Sequence, residues 1–252
     1  MTSDNAQHLP ATANGIAPRV SVVIPAHDEE RYIGACVASI FASAPPHPCE
    51  VIVVDNASTD RTAAIAREAG ARVVPEPQKG TNHARQRGLL EATGDLVAFI
   101  DADVLLPREW FAAAVAALAA HPEAAAASGP CEYYDLSPFN RWVTGRWNDA
   151  AHISGLLTGA QVMGGNVILR RQVFLDAGGF DTSRTFYGDD VDTGKRLHAM
   201  GKVLFLPALT TQMSGRRLAR RGLLRVGYEY AMAYFSEKIF GKPWKHEHTV
   251  IR

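Results

Sequence analysis

The chain has 252 residues, 47% hydrophobic and 21% charged, with 26 Lys and Arg balanced by 26 Asp and Glu. That suffices for one large α/β domain with a modest appendage, and a net charge of zero argues against a dedicated nucleic-acid binder, which normally carries a basic excess. The three cysteines, Cys36, Cys49 and Cys131, form no CxxC or Cys/His pattern; this disfavours disulfide and zinc scaffolds and points to buried thiols in a reducing cytosol.

Met1 to Arg19 is polar and carries Pro10, Gly15 and Pro18, so a disordered leader is expected there rather than a secretory signal. Val20 to Pro25 (VSVVIP) is a β-rich run stopped by proline. A helix follows, with Tyr32, Ile33, Cys36, Val37 and Ile40 on one face. Glu50 to Val54 reads as a second strand. Asp60 or Thr59 can cap the helix from Arg61 to Ala69, which Gly70 ends. Arg72 to Val74 is a short third strand, and Thr81 to Ala92 a helix closed by Gly94.

Leu96-Val97-Ala98-Phe99-Ile100 is apolar without helical periodicity, the pattern of a strand buried in a parallel sheet. It stops on Asp101-Ala102-Asp103. Two carboxylates at such a strand end are costly unless a cation sits beside them, and a divalent ion carrying phosphate oxygens is the simplest candidate. Strands alternating with helices at this spacing indicate βαβ units and a mostly parallel sheet.

Beyond this point the pattern is less regular. Pro107 to Ala120 is helical, Ala124 to Tyr134 reads as a strand past its alanines, and Phe139 to His152 as an amphipathic helix with Trp142 and Trp147. Gln161 to Leu169 reads as a strand with a tight Gly164-Gly165 turn or bulge. Asp189 to Ala199 is a helix and Lys202 to Leu206 a last strand. No segment is apolar for long enough to span a membrane; Phe111 to Ala127 comes nearest, and His121-Pro122-Glu123 interrupts it. The expected division is a leader over 1–19, one domain over 20–214, and a basic, aromatic helical extension over 215–252.

Acidic residues close three strand-like runs: Asp28 and Glu29, then Asp55, then Asp101 and Asp103. In a parallel sheet those ends share one edge, where ligands bind. One such acid is ordinarily a cap or turn former; three together favour a common cleft.

Taken in order, VSVVIPAHDEE, EVIVVDNASTDRT, GTNHARQRGLLEATGDLVAFIDAD, GGNVILRRQVFLDAGGFD and YGDDVDTGKRLHAMG resemble the inverting glycosyltransferases of family 2. The likeness runs from about Val20 to Pro207. It implies the GT-A fold, a Rossmann-like three-layer α/β/α arrangement with a mostly parallel mixed central sheet. It further implies that Pro25, Ala26, His27 and Glu29 line a nucleotide pocket, with Glu29 near ribose or base. Asp55 would accept a hydrogen bond from the base, and Lys79 and Arg85 would contact the nucleotide or steady its acids. Asp101, Ala102 and Asp103 would be the DxD motif. Asp103 would ligate Mn²⁺ or Mg²⁺ on the diphosphate, with Asp101 supporting it near the ribose. Asp190 would be the catalytic base, and Gly164, Gly165, Asn166 and Asp189 would lie beside sugar and acceptor. A UDP-sugar is the default donor and a GDP-sugar the alternative. The acceptor is a glycan, a lipid phosphate or a small molecule.

The residue types suit that chemistry. Inverting transfer is one in-line displacement, needing a carboxylate to take the acceptor's proton and a cation to stabilise the departing diphosphate. Three departures from the family pattern stand out: Asp189 replaces the usual Glu of a Glu-Asp pair, Asp28 replaces an Asn, and the Gln-x-x-Arg-Trp motif of processive synthases is absent. The last favours transfer of one sugar per acceptor.

Simpler readings compete at several positions. Asp190 and Asp192 open a helix, where carboxylates help through the macrodipole alone. His27 is more simply a polar pocket wall, and His246 and His248 either complete a metal site or belong to an inert tail. Arg216, Arg217, Arg220, Arg221 and Arg225 make a solvated helix face or a grip on a diphosphate or acidic acceptor. With Leu218, Leu223, Leu224 and Val226 they also suit a basic amphipathic helix, so the 216–235 region is where a cytoplasmic protein could meet the inner membrane surface. Rival functions are a haloacid dehalogenase-type phosphohydrolase with Asp101 as nucleophile, a nucleotidyltransferase, and a non-catalytic nucleotide-sugar-binding domain. The first leaves the two earlier acid-tipped strands unexplained. The second lacks a Gly-rich basic loop after its first strand.

Overall fold

The apolar runs read from the sequence all enter one seven-stranded sheet in the computed structural model, which describes residues 18–43, 49–158, 161–183 and 189–240. In chain order the elements are β1 (Val20–Ala26), α1 (Ile33–Ser43), β2 (Cys49–Asp55), α2 (Thr62–Glu68), β3 (Arg72–Pro75), α3 (Thr81–Glu91), β4 (Leu96–Ile100) and β5 (Val104–Leu105). Then come α4 (Trp110–Ala120), β6 (Ala124–Ser128), β7 (Cys131–Tyr133), α5 (Pro138–Thr158), β8 (Asn166–Arg170) and α6 (Arg171–Asp176). The chain continues through α7 (Asp189–Met200), β9 (Lys202–Phe205), a 3₁₀ turn at Pro207–Leu209, β10 (Thr211–Met213), α8 (Arg216–Arg221) and α9 (Leu223–Phe240). Most of the leader, and the tail holding His246 and His248, lie outside the described residues.

The large sheet has the order β3-β2-β1-β4-β8-β6-β9, with β8 antiparallel to both neighbours and every other pairing parallel. This is the mixed, mostly parallel sheet expected. Alternation along β1 divides the core: Val22 and Ile24 join α1 and α4 on one face, while Val23 joins α3, α6 and α7 on the other. Helices thus cover both faces, giving three layers.

Register sets the site. Ala26 lies opposite Asp55, and Val23 opposite Phe99, so β1, β2 and β4 release their following loops at one edge. The acid-tipped ends converge there.

Two expectations change in the second half. The single strand over Ala124 to Tyr134 is two strands in different sheets, β6 in the large one and β7 in a three-stranded sheet ordered β5-β10-β7. Alanine is a poor strand former, but all of β6 is buried between β8 and β9, and that packing overrides propensity. Lys202 to Phe205 is not the last strand; β10 follows and pairs with β5 and β7. Among the described residues no helix is long and apolar enough to cross a membrane. Cys36 and Cys131 are buried free thiols.

The basic extension is folded against the domain. Leu218 and Val226 pack on Leu136, bordered by Tyr133, Trp147 and Leu223. Buried Glu229 accepts bonds from Arg221 at 3.0 Å and Arg225 at 3.2 Å.

Candidate active site

The β1–α1 and β2–α2 loops form one wall. Asp28 sits at φ 55°, a left-handed conformation that Asn and Asp tolerate better than most residues. Its Oδ1 accepts the Thr59 amide at 2.7 Å, and its own amide donates to Ser58 Oγ at 3.1 Å. The carboxylate at the family's Asn position is therefore engaged in lashing two loops together. The N-cap of α2 is Arg61, which offers no side-chain cap; Asp60, the residue before it, accepts the Thr62 amide at 2.9 Å. Asp55, half-buried at the tip of β2, accepts the Ser58 amide at 3.3 Å. Ala26 is buried and Pro25 half-buried beside them. His27 Nδ1 is buried with no partner among the described residues. Asn56 braces the next loop, donating to Glu76 O and Gln78 O and accepting the Gly80 amide at 2.8 Å. Lys79 on that loop is exposed.

Arg85, on α3, is the hub of the opposite wall. Its side chain is 5% exposed, and its guanidinium donates to Asp101 at 3.2 Å and Asp189 at 3.0 Å, with Asp190 Oδ1 at 3.7 Å. Against the pull of burial these carboxylates hold it firmly protonated. Asp190 is pushed up to about 7, first by desolvation and then by the adjacent Asp189, against the opposing help of Arg85 and the Gly164 amide. Part of its side chain still opens to the cleft, so the acid is crowded by protein without being sealed off. Asp101 is tied down by its backbone, its amide donating to Gly165 O at 3.3 Å.

Gly164 and Gly165 are required by close approach. A methyl at Gly164 would strike Asp190 Oδ1 and both terminal nitrogens of Arg85; one at Gly165 would strike the Asp101 carboxyl. They form the floor on which α7 and the end of β4 meet. Asn166, expected in that floor, turns away. Its side chain is fully buried, donates to Gly129 O, Pro130 O and Leu209 O, and accepts the Trp110 indole at 3.0 Å. It is a structural clasp.

The third wall comes from the extension. Arg216, at the start of α8, hydrogen-bonds Glu29 and lies 3.2 Å from Asp103 Oδ2 through Nε. Its guanidinium stacks over Tyr32, 4.5 Å from the ring centroid. Asp103 is pushed up to about 7 by burial, which Arg216 opposes and Asp101 and Glu29 reinforce. Burial likewise raises Glu29, whose Oε2 is buried with no partner among the described residues. The reading of the arginine cluster as a solvated face fails at Arg216. Tyr32, placed by periodicity on a core face, instead supports that arginine. Neither contact was legible in local sequence, because 184 residues separate them; the only signal was the density of arginines.

Among the described residues no group of three or more His, Cys, Asp or Glu is arranged to hold a metal ion. The donor set nonetheless suits a hard divalent cation completed by phosphate oxygens. Asp103, Asp101 and Glu29 are crowded oxygen acids, and one Glu29 oxygen lacks any donor.

The sequence model of glycosyl transferase family 2 matches residues 21–178, more than half of the chain. The chain belongs to that family. Glucosyl-3-phosphoglycerate synthase of Mycolicibacterium smegmatis is 41% identical over 100 residues, 36% of this chain and 33% of that protein. A 4,4'-diaponeurosporenoate glycosyltransferase of Staphylococcus aureus is 38% identical over 96 residues, 36% of this chain and 25% of that protein. These matches take in about a third or less of the curated relatives' length. A mannosyltransferase of Pyrobaculum calidifontis, solved with GDP-Man and Mn²⁺, superposes with TM-score 0.69 at 26% identity, covering 90% of this chain and 66% of that one. Glucosyl-3-phosphoglycerate synthase of Mycobacterium tuberculosis, solved with Mn²⁺, UDP and phosphoglyceric acid, gives 0.62 at 24% identity over 91% and 84%, a likeness of fold alone. The family 2 chain therefore has the GT-A architecture. Membership removes the phosphohydrolase and nucleotidyltransferase readings.

Proposed function

We propose that this chain transfers a single sugar, with inversion, from a nucleoside diphosphate sugar to an acceptor hydroxyl or phosphate. The observation carrying the reading is the division of acids across the Gly164–Gly165 floor. Asp190, raised to about 7, lies against Gly164, and Asp101, two residues before Asp103, lies against Gly165. A base poised near neutrality can accept a proton without being permanently ionised or permanently blocked. Arg85 holds Asp190 in place and stabilises its ionised form. Asp103, with Asp101 beside it, would hold Mn²⁺ or Mg²⁺, which would supply neutralisation of the departing diphosphate. Asp55, Pro25, Ala26 and His27 would seat the base, with UDP as default and GDP as alternative; relatives solved with UDP or GDP-Man support both.

The acceptor is a lipid phosphate, a glycan or a small molecule. Exposed Leu224 and Tyr228, with exposed Arg220 and Arg225 on the same extension, support contact with the inner membrane surface. Flotation with anionic vesicles that fails for wild-type protein would remove that contact. The domain arrangement follows: one GT-A unit over 20–214 and the extension over 215–252.

The test is Asp190→Asn. It should abolish transfer while leaving Mn²⁺-dependent UDP binding within about twofold, whereas Asp103→Ala should weaken that binding. Substantial turnover in Asp190→Asn would unseat the base. Wild-type donor turnover no faster than buffer would favour a non-catalytic binding domain.

A further inference from the structure

The proposed mechanism leaves Arg216 without a task, although its side chain meets two acids and an aromatic ring. Its guanidinium touches Glu29 and Asp103, the second of them the expected metal ligand, and rests on Tyr32. Five carboxylates, Glu29, Asp101, Asp103, Asp189 and Asp190, crowd the cleft, and among the described residues the guanidiniums of Arg85 and Arg216 contact them. Arg85 is committed to Asp101 and Asp189. Arg216 is in direct contact with Asp103, and Arg217 adds its charge from farther away.

We infer that Arg216 is a donor-binding residue that serves as the resident counter-ion of Asp103 and exchanges that carboxylate for a phosphate oxygen when donor and metal arrive. This inference rests on the metal-dependent donor reading. Three features support exchange over a fixed structural pair. Arg216 Nε lies against Oδ2 of Asp103, so a divalent ion that takes Oδ2, or both oxygens, displaces it. Glu29 keeps Arg216 close after displacement, and its second oxygen is unsatisfied. A planar guanidinium released from a carboxylate then meets a diphosphate, an anion whose geometry its paired donors fit. Metal alone must compete with Arg216; metal with nucleotide offers it a new partner. The two ligands should thus bind synergistically, and Arg216 carries part of the coupling.

Mn²⁺ binding by the full chain, followed by electron paramagnetic resonance with and without UDP, reads this directly. Wild type should bind Mn²⁺ weakly alone and far more tightly with UDP. Arg216→Ala should bind Mn²⁺ alone at least about fivefold more tightly, and its UDP-induced gain should shrink by about the same factor or more. Arg216→Lys, which keeps the charge but not the paired donors, should fall between, and guards against misfolding of the alanine variant. A purely structural arginine predicts weaker Mn²⁺ binding in both variants. Unchanged or weakened Mn²⁺ affinity in Arg216→Ala, with wild-type synergy intact, overturns the exchange alone. Absence of Mn²⁺-dependent UDP binding in the wild type overturns the donor reading and the exchange together.

Discussion

Asp190 illustrates how one residue's environment sets its chemistry. Desolvation and Asp189 lift its carboxyl to about 7, from the roughly 3.9 of an unfolded chain. In the proposed role of base Asp190 must be deprotonated, so kcat/KM should climb with pH, reach half its plateau near 7 and level off above it. Asp189→Asn removes the neighbouring negative charge and leaves more of Arg85 for Asp190. Both changes favour the carboxylate, so the acidic limb should move to lower pH. A pH–rate profile of the two proteins checks it; an unmoved limb would mean another group controls the rate. The sign for stability is opposite. Because the folded value is raised, Asp190 favours folding fully below its unfolded value, and that contribution fades as pH rises through 7. Asp190 was legible as a candidate base because its type and order match a motif. The hold exerted by Arg85 was legible only as a choice between nucleotide contact and steadying the acids, since nothing local specifies which carboxylates a guanidinium will meet.

At the scale of elements, strands ending in acids were readable because buried parallel strands are apolar throughout and their termini must turn. The short elements were not. Val104–Leu105 and Thr211–Met213 have two and three residues, too few for any periodicity, and they exist only because they pair with each other and with β7. Motif position points Asn166 to the cleft, but it sits at the start of β8 with its side chain directed into the β6–β7 turn and the 3₁₀ turn. Those carbonyls and the Trp110 indole are buried, so removing the amide strands several polar groups at once. Asn166→Ala should therefore cost about 2–4 kcal/mol of stability by denaturant unfolding. If donor affinity collapses while stability holds, Asn166 serves the cleft after all.

For the whole molecule, the sheet and its two flanking cores are one body, whereas α8 and α9 rest, among the described residues, on a small cluster of buried Leu136, Leu218 and Val226. A patch that small is a unit that can open locally without unfolding the sheet. It nevertheless carries Arg216 into the cleft, 187 residues along the chain from its partner Glu29. Leu218→Ala should loosen this hinge. Hydrogen exchange across 216–240 should accelerate, while the main thermal transition shifts by no more than about 3 °C, because the larger cores are untouched. The synergy between UDP and Mn²⁺ should fall as in Arg216→Ala, since a guanidinium on a detached helix no longer reaches Asp103. Leu224→Ala, on the exposed side of α9, should change neither property. If Leu218→Ala speeds exchange yet leaves the synergy intact, the extension is only a cover, and the cleft is complete without it.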